Sequence, residues 1–125
     1  MCGFFAIHRR KGAGLKNAGL AALNSMTSRG PDSSGFELHD DGRLFLGHRR
    51  LAILDVSPNG HQPMISKSGR YTVVFNGEIY NHSDIRLKIE AMRSEAYCWI
   101  GLSDTETICA MLDLYGFDDL VPMLE

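Results

Sequence analysis

The chain lacks any long uninterrupted apolar run, and its longest falls far short of the roughly 18 residues a membrane-spanning helix needs. No apolar stretch of the secretory kind follows the start, so neither export nor lipid attachment at the second residue is expected. An excess of either charge is missing too. Thirteen Lys and Arg against 15 Asp and Glu leave a formal net charge of −2, which gives no electrostatic footprint for nucleic acid or an anionic membrane. The densest basic cluster, His8-Arg9-Arg10-Lys11, runs into Gly12 and reads as a solvated turn. Cysteine is scarce and odd in number, at positions 2, 98 and 109. That argues against a disulfide framework and for a reducing, cytoplasmic setting. Cys98 and Cys109 have apolar neighbours and are expected to be buried packing residues. The five histidines show no metal-ligand spacing with cysteines or carboxylates, so no metal site is expected.

What is present suffices for one domain, or part of one, with a real core: 125 residues, 44% hydrophobic. Residues 2–8 read as an apolar strand, and 12–14 as a turn. Leu15, Ala18, Gly19, Ala22, Leu23 and Met26 recur at helical spacing and predict an amphipathic helix ending near Ser28, before the breaker Arg29-Gly30-Pro31-Asp32. Residues 35–39 and 43–48 read as strands joined through Asp40-Asp41-Gly42, with a further short apolar stretch over 51–54. Tyr71-Thr72-Val73-Val74-Phe75 has the make-up of a buried strand, and Tyr97-Cys98-Trp99-Ile100 that of a short one. Ser83 is expected to cap a second helix carrying the i,i+4 pairs Asp84/Lys88 and Arg86/Glu90. Ser103-Asp104-Thr105-Glu106 is a capping box opening a third helix that Gly116 closes. Strands come in antiparallel-looking groups with helices between the groups, a pattern of the α+β class.

Cys2 directly follows the initiator Met1. Removing Met1 leaves a thiol and a free α-amine on one residue, a nucleophile with its own proton acceptor. The α-amine titrates near pH 8 and an ordinary thiol near 8.5, so the amine can take the thiol proton, directly or through one water. A second feature is Asn76-Gly77 at the end of a hydrophobic strand. Its ordinary reading is a type I′ hairpin turn. Glu78-Ile79-Tyr80-Asn81 leads instead toward a helix, so the Asn amide and the Gly N–H are also placed to serve a developing negative oxygen.

These features occur in order with Arg29-Gly30-Pro31-Asp32, His48-Arg49-Arg50-Leu51-Ala52-Ile53-Leu54-Asp55, Gln62-Pro63, Asn76-Gly77-Glu78-Ile79-Tyr80-Asn81-His82 and Ser103-Asp104-Thr105-Glu106. Together they resemble the N-terminal glutaminase domain of glutamine-hydrolysing asparagine synthetase, a class II amidotransferase, over nearly the whole chain. The resemblance implies a four-layer αββα sandwich of the N-terminal nucleophile type. It implies that Cys2 attacks the glutamine carboxamide and passes through a γ-glutamyl thioester, with the Asn76 side chain and Gly77 N–H as the oxyanion hole. It gives Arg50 the glutamine α-carboxylate, for which a planar guanidinium fork is suited, and Glu78 and Asp104 the α-ammonium. For Asp104 an ordinary helix-start acid is the competing reading. Arg29 and Asp32 resemble part of the family's substrate-side loop, and equally a salt-bridged turn. Arg49 stands where the family often has glutamate, while Arg50, directly before Leu51, keeps the family register.

The expected substrate is glutamine, and no cofactor is expected within this domain. The resemblance implies that ammonia passes to a C-terminal synthetase domain using ATP and Mg²⁺. No such domain is present in these residues, and the glutaminase domain is expected to be incomplete after Leu124-Glu125. Unpaired strand edges then predict self-association or a homodimer. Other readings are an amidotransferase serving a sugar, peptide or antibiotic precursor, and a non-catalytic amino-acid-binding regulatory domain of the same fold.

Overall fold

The computed structural model describes residues 2–11, 13–52 and 57–124. The chain is α+β and divides into two compact units. The first comprises Met1–Ile53, His61–Pro63 and Val73–Asn76; the second comprises Leu54–Gly60, Met64–Thr72 and Gly77–Glu125.

In the first unit, β1 (Gly3–His8), β2 (Ser33–His39) and β3 (Leu44–Arg50) form an antiparallel sheet in the order β1-β3-β2, with α1 (Leu15–Ser25) packed against β3. Successive side chains on a strand point to opposite faces, and the register Phe5↔Gly47, Ile7↔Phe45, Phe36↔Gly47 and Leu38↔Phe45 puts these apolar residues on one face. There Phe45 stacks between Phe5 and Phe36, at 5.5 and 5.3 Å between ring centroids, and packs with Leu15 and Leu23 of α1. Burying a side chain of this size stabilises the fold by about 1.5–3 kcal/mol. Gly19 makes the packing possible, because a Cβ there would enter the Phe45 ring. The β2–β3 hairpin turns through Asp40, Asp41 and Gly42, all at positive φ (55°, 52° and 77°).

α1 stops at Ser25, short of the expected Ser28, because its last carbonyls find other donors. The Thr27 hydroxyl bonds the Asn24 carbonyl, and the Arg49 Nε–H bonds the Leu23 carbonyl at 2.9 Å. The strand expected over 71–75 shrinks to β5 (Thr72–Val73), half-buried rather than buried. Past it, the Phe75 backbone is bonded by side chains and makes no ladder. The expected apolar stretch over 51–54 falls partly outside the described residues.

In the second unit, β4 (Met64–Ile65) forms a small hairpin with β5, whose Thr72 belongs to this unit, and α2 (His82–Ala91), α3 (Asp104–Tyr115) and the short α4 (Phe117–Leu120) follow. α3 is buried along its first nine residues and packs with α2, α4 and β4. Ile85 and Ile89 form the buried face of α2.

Five expectations fail here. Ser83 does not cap α2, which begins at His82 after Asn81, with no side-chain cap. The Asn81 side chain instead donates to the Met123 carbonyl at 2.9 Å. Ser103 does cap α3, accepting from the Thr105 N–H at 3.2 Å, but Glu106 does not complete the box. It accepts from the Ile100 and Gly101 N–H groups at 2.8 and 3.0 Å. Nor does Arg86 pair with Glu90; its guanidinium takes Thr107 Oγ1, the Gly101 and Ser103 carbonyls and Glu106. Within 97–100, where a strand was expected, Glu106 takes the Ile100 N–H, Asn59 Nδ2 the Ile100 carbonyl and Lys67 the Cys98 carbonyl, and the segment is a loop. Cys98, on this loop, is exposed, contrary to expectation, whereas Cys109 is buried.

Candidate active site

The pairing Gly3↔Arg49 and Ser33↔Arg50 brings the residue before β1 to the last residue of β3. Cys2 is half-buried there, and both backbone groups of Leu51 meet its sulfur: the Leu51 N–H donates to Sγ at 3.2 Å, and the thiol donates to the Leu51 carbonyl at 3.4 Å. The sulfur is therefore held one residue beyond Arg50.

The two consecutive arginines diverge. Arg49 points to the α1 side, where its Nε bonds the Leu23 carbonyl and its Nη2 reaches Asn24 Oδ1 at 3.1 Å. A cation at a helix C-terminus also suits the helix dipole. Arg50, one step along the strand, lies on the opposite face with His48. Of the pair, Arg50 therefore shares the sheet end of Cys2, on the face opposite the one that Arg49 turns to α1.

The Arg29-Gly30-Pro31-Asp32 loop braces this segment. The Asp32 N–H bonds the Arg50 carbonyl at 3.1 Å, and Asp32 Oδ2 accepts from the Ala52 N–H at 2.8 Å. Gly30 lies against the Arg49–Arg50 peptide so closely that a Cβ would overlap it. Asp32 thus straddles Leu51 from either side, a structural part that its place in a motif only hinted at and that sequence reasoning left undecided.

Asn76 belongs to the same unit and is exposed. The residue before it is fastened on both sides: Gln62 Oε1 accepts from the Phe75 N–H at 2.6 Å, and His48 Nε2 donates to the Phe75 carbonyl at 3.2 Å. His48 is only 1% exposed, and burial pushes its pKa down to about 4, with His61 and Arg50 adding to the effect against the Phe75 bond. It is neutral at neutral pH, its single proton on Nε2 for the carbonyl. Neither His48 nor Gln62 was singled out as a site residue from sequence, although both lie within the motif blocks.

Gly77, Glu78 and Asp104 belong to the second unit. Neither Asn76 nor Gly77 has positive φ, which rules out the type I′ turn, and the chain leads on to α2. Glu78 is exposed; the next residue, Ile79, is 3% exposed, and its N–H donates to Asp104 Oδ2 at 3.1 Å. Asp104, at the first position of α3 and 9% exposed, thus ties down the segment that presents Glu78. The Arg86–Glu106 pair (3.4 Å) fixes the loop running into Asp104, and the Arg86 guanidinium lies 4.1 Å over the Trp99 ring. Burial holds the Arg86 pKa below its usual range despite Glu106 beside it.

Among the described residues no group of three or more His, Cys, Asp and Glu is placed to hold a metal ion, and no helix is long and apolar enough to cross a membrane. The chain is similar to the asparagine synthetase [glutamine-hydrolyzing] 1 of Bacillus subtilis, 38% identical over 114 residues, covering 88% of this chain and 17% of that protein. The Zea mays asparagine synthetase is 34% identical over 132 residues, 100% of this chain and 20% of that protein. The amidase chry2 of Gibberella zeae is 35% identical over 95 residues, 76% of this chain and 14% of that protein. The chain thus spans a fifth or less of the length of these relatives. The family model described as the glutamine amidotransferase domain matches residues 1–125, and the chain belongs to that family.

Proposed function

We propose that this chain hydrolyses glutamine to glutamate and ammonia with the thiol of Cys2 once Met1 has been removed. The observation that carries the reading is the setting of that thiol: the second residue of the chain, fastened to Leu51 directly beyond Arg50. The α-amine of Cys2 takes the thiol proton, and the sulfur attacks the carboxamide carbon. The oxyanion that forms is met by the Asn76 carboxamide and the Gly77 N–H, preorganised donors of the kind that stabilise such intermediates. The C–N bond then breaks, the α-ammonium returns the proton, and ammonia leaves. Water hydrolyses the thioester to glutamate and restores the thiol. Arg50 takes the substrate α-carboxylate; Glu78 and Asp104 take its α-ammonium, Asp104 through the oxygen not engaged by Ile79.

The relatives named as glutamine-hydrolysing synthetases support a wider reading. Residues 1–125 form the glutaminase part of a longer protein, an αββα sandwich when complete. Its ammonia serves an ATP- and Mg²⁺-dependent asparagine synthetase domain, in a cytoplasmic and self-associating protein.

The test is ammonia release from glutamine, with intact mass and covalent labelling by a diazo-ketone glutamine analogue. Turnover, labelling at Cys2 and loss of Met1 are expected. Turnover by material that retains Met1 would refute the α-amine as base. Glutamine binding with neither labelling nor turnover would make this an amino-acid-binding regulatory domain.

A further inference from the structure

We propose that His48 and Gln62 are positioning residues that grip the Phe75 backbone from both sides and thereby aim the Asn76 carboxamide at the oxyanion. The proposal rests on the glutaminase reading above. Phe75 lies beyond the end of β5, so neither its N–H nor its carbonyl has a strand partner. A buried backbone group without a partner is costly, and such groups are almost always satisfied. Here both are satisfied by side chains, Gln62 Oε1 on the N–H at 2.6 Å and His48 Nε2 on the carbonyl at 3.2 Å. Both side chains are themselves buried, at 7% and 1% exposure.

The Phe75 carbonyl is coplanar with the Asn76 nitrogen and Cα. Holding that oxygen fixes the plane from which the Asn76 side chain departs. His48 is itself set by the sheet, opposite Phe4 on β1 and Gly35 on β2. Gly35 lets the other arm close in, since a Cβ there would overlap the Gln62 carbonyl and the His61 ring. The grip therefore runs from the middle strand of the sheet to the residue beside the proposed oxyanion donor. Displacing a catalytic group by about 1 Å can cost on the order of 100-fold in rate.

The experiment measures glutamine hydrolysis in the full-length protein, with kcat expressed per folded molecule counted by near-ultraviolet circular dichroism. His48→Leu, which removes the donor, is expected to lower kcat about 10- to 100-fold, with KM for glutamine changed less than about twofold. His48→Gln, which keeps an N–H donor near the Nε2 position, is expected to recover most of that loss. Unchanged kcat in His48→Leu overturns the proposal, as does an equal fall in both variants, which would make His48 a packing residue. If His48→Leu fails to fold, Gln62→Met tests the other arm, with Gln62→Glu as its conservative rescue and the same criteria. Absence of hydrolysis by the unaltered protein would overturn the glutaminase reading and this proposal with it.

Discussion

The two units solve the same problem, holding a loop residue in a fixed place, by different means. In the first, an apolar sandwich of Phe5, Phe45 and Phe36 under Leu15 and Leu23 makes a stiff sheet, and the proposed site residues Cys2 and Arg50 sit at its end. In the second, the loop before Asp104 is held by charge: Arg86 and Glu106, both nearly buried, share the polar groups of residues 100–103 between them. An apolar core tolerates loss of a contact in proportion to the volume removed. A buried ion pair does not, because deleting either member strands the other.

That contrast can be broken most directly at Phe45. Phe45→Ala should cost about 3–5 kcal/mol in urea unfolding, and Phe45→Leu much less, because the loss follows the volume removed. Arg86→Met should cost about 3 kcal/mol or more, yet Arg86→Met with Glu106→Gln should cost less than the sum of the two single changes. Strict additivity in that cycle would erase the distinction between the units. A third comparison sets a proposed site residue of one unit against one of the other. Asn76→Ala should lower kcat about 100- to 1,000-fold. Asp104→Asn, which keeps an acceptor for the Ile79 N–H, should instead raise KM for glutamine roughly 10-fold or more with kcat preserved.

Acid sharpens the comparison further. His48 in the first unit titrates near 4 when folded, against 6.5 ordinarily. Between those values the unfolded chain binds more protons, so folding stability is full above about pH 6.5 and declines as pH falls toward 4. The decline attributable to His48 is at most about 3 kcal/mol. It should vanish from the stability profile of His48→Gln. The smallest effect is expected at the exposed Arg43–Asp40 pair of the hairpin turn. Arg43→Gln should change stability by less than about 0.5 kcal/mol.

The same contrast explains what the sequence made legible. Period-two and period-3.6 patterns placed the first sheet and α1 to within a few residues, since apolar burial leaves a periodic trace. Motif order brought out Cys2, Arg50 and Asn76, and the structure puts all three in one unit. The parts that escaped are those in which side chains take over backbone bonding. Composition read Tyr97-Cys98-Trp99-Ile100 as a strand, yet Glu106 and Arg86 satisfy its neighbourhood without a ladder. Phe75 dropped out of its strand for the same reason. Local spacing read Arg86 with Glu90 and Glu106 with Ser103, when each had a more distant use. No periodicity reports a bond between residues 20 or 27 positions apart.

The diverging arginines give the hairpin turn at Asp40–Gly42 a consequence beyond its own neighbourhood. Neighbouring strand positions present opposite faces, so a slip of β3 by one residue would exchange the fates of Arg49 and Arg50. The helix would then receive His48 and Arg50, and Arg49 would take the face from which Arg50 is proposed to hold the glutamine α-carboxylate. Shortening that remote, solvent-washed corner by a single residue would thus disarm the thiol's surroundings while leaving every residue of the motifs in place.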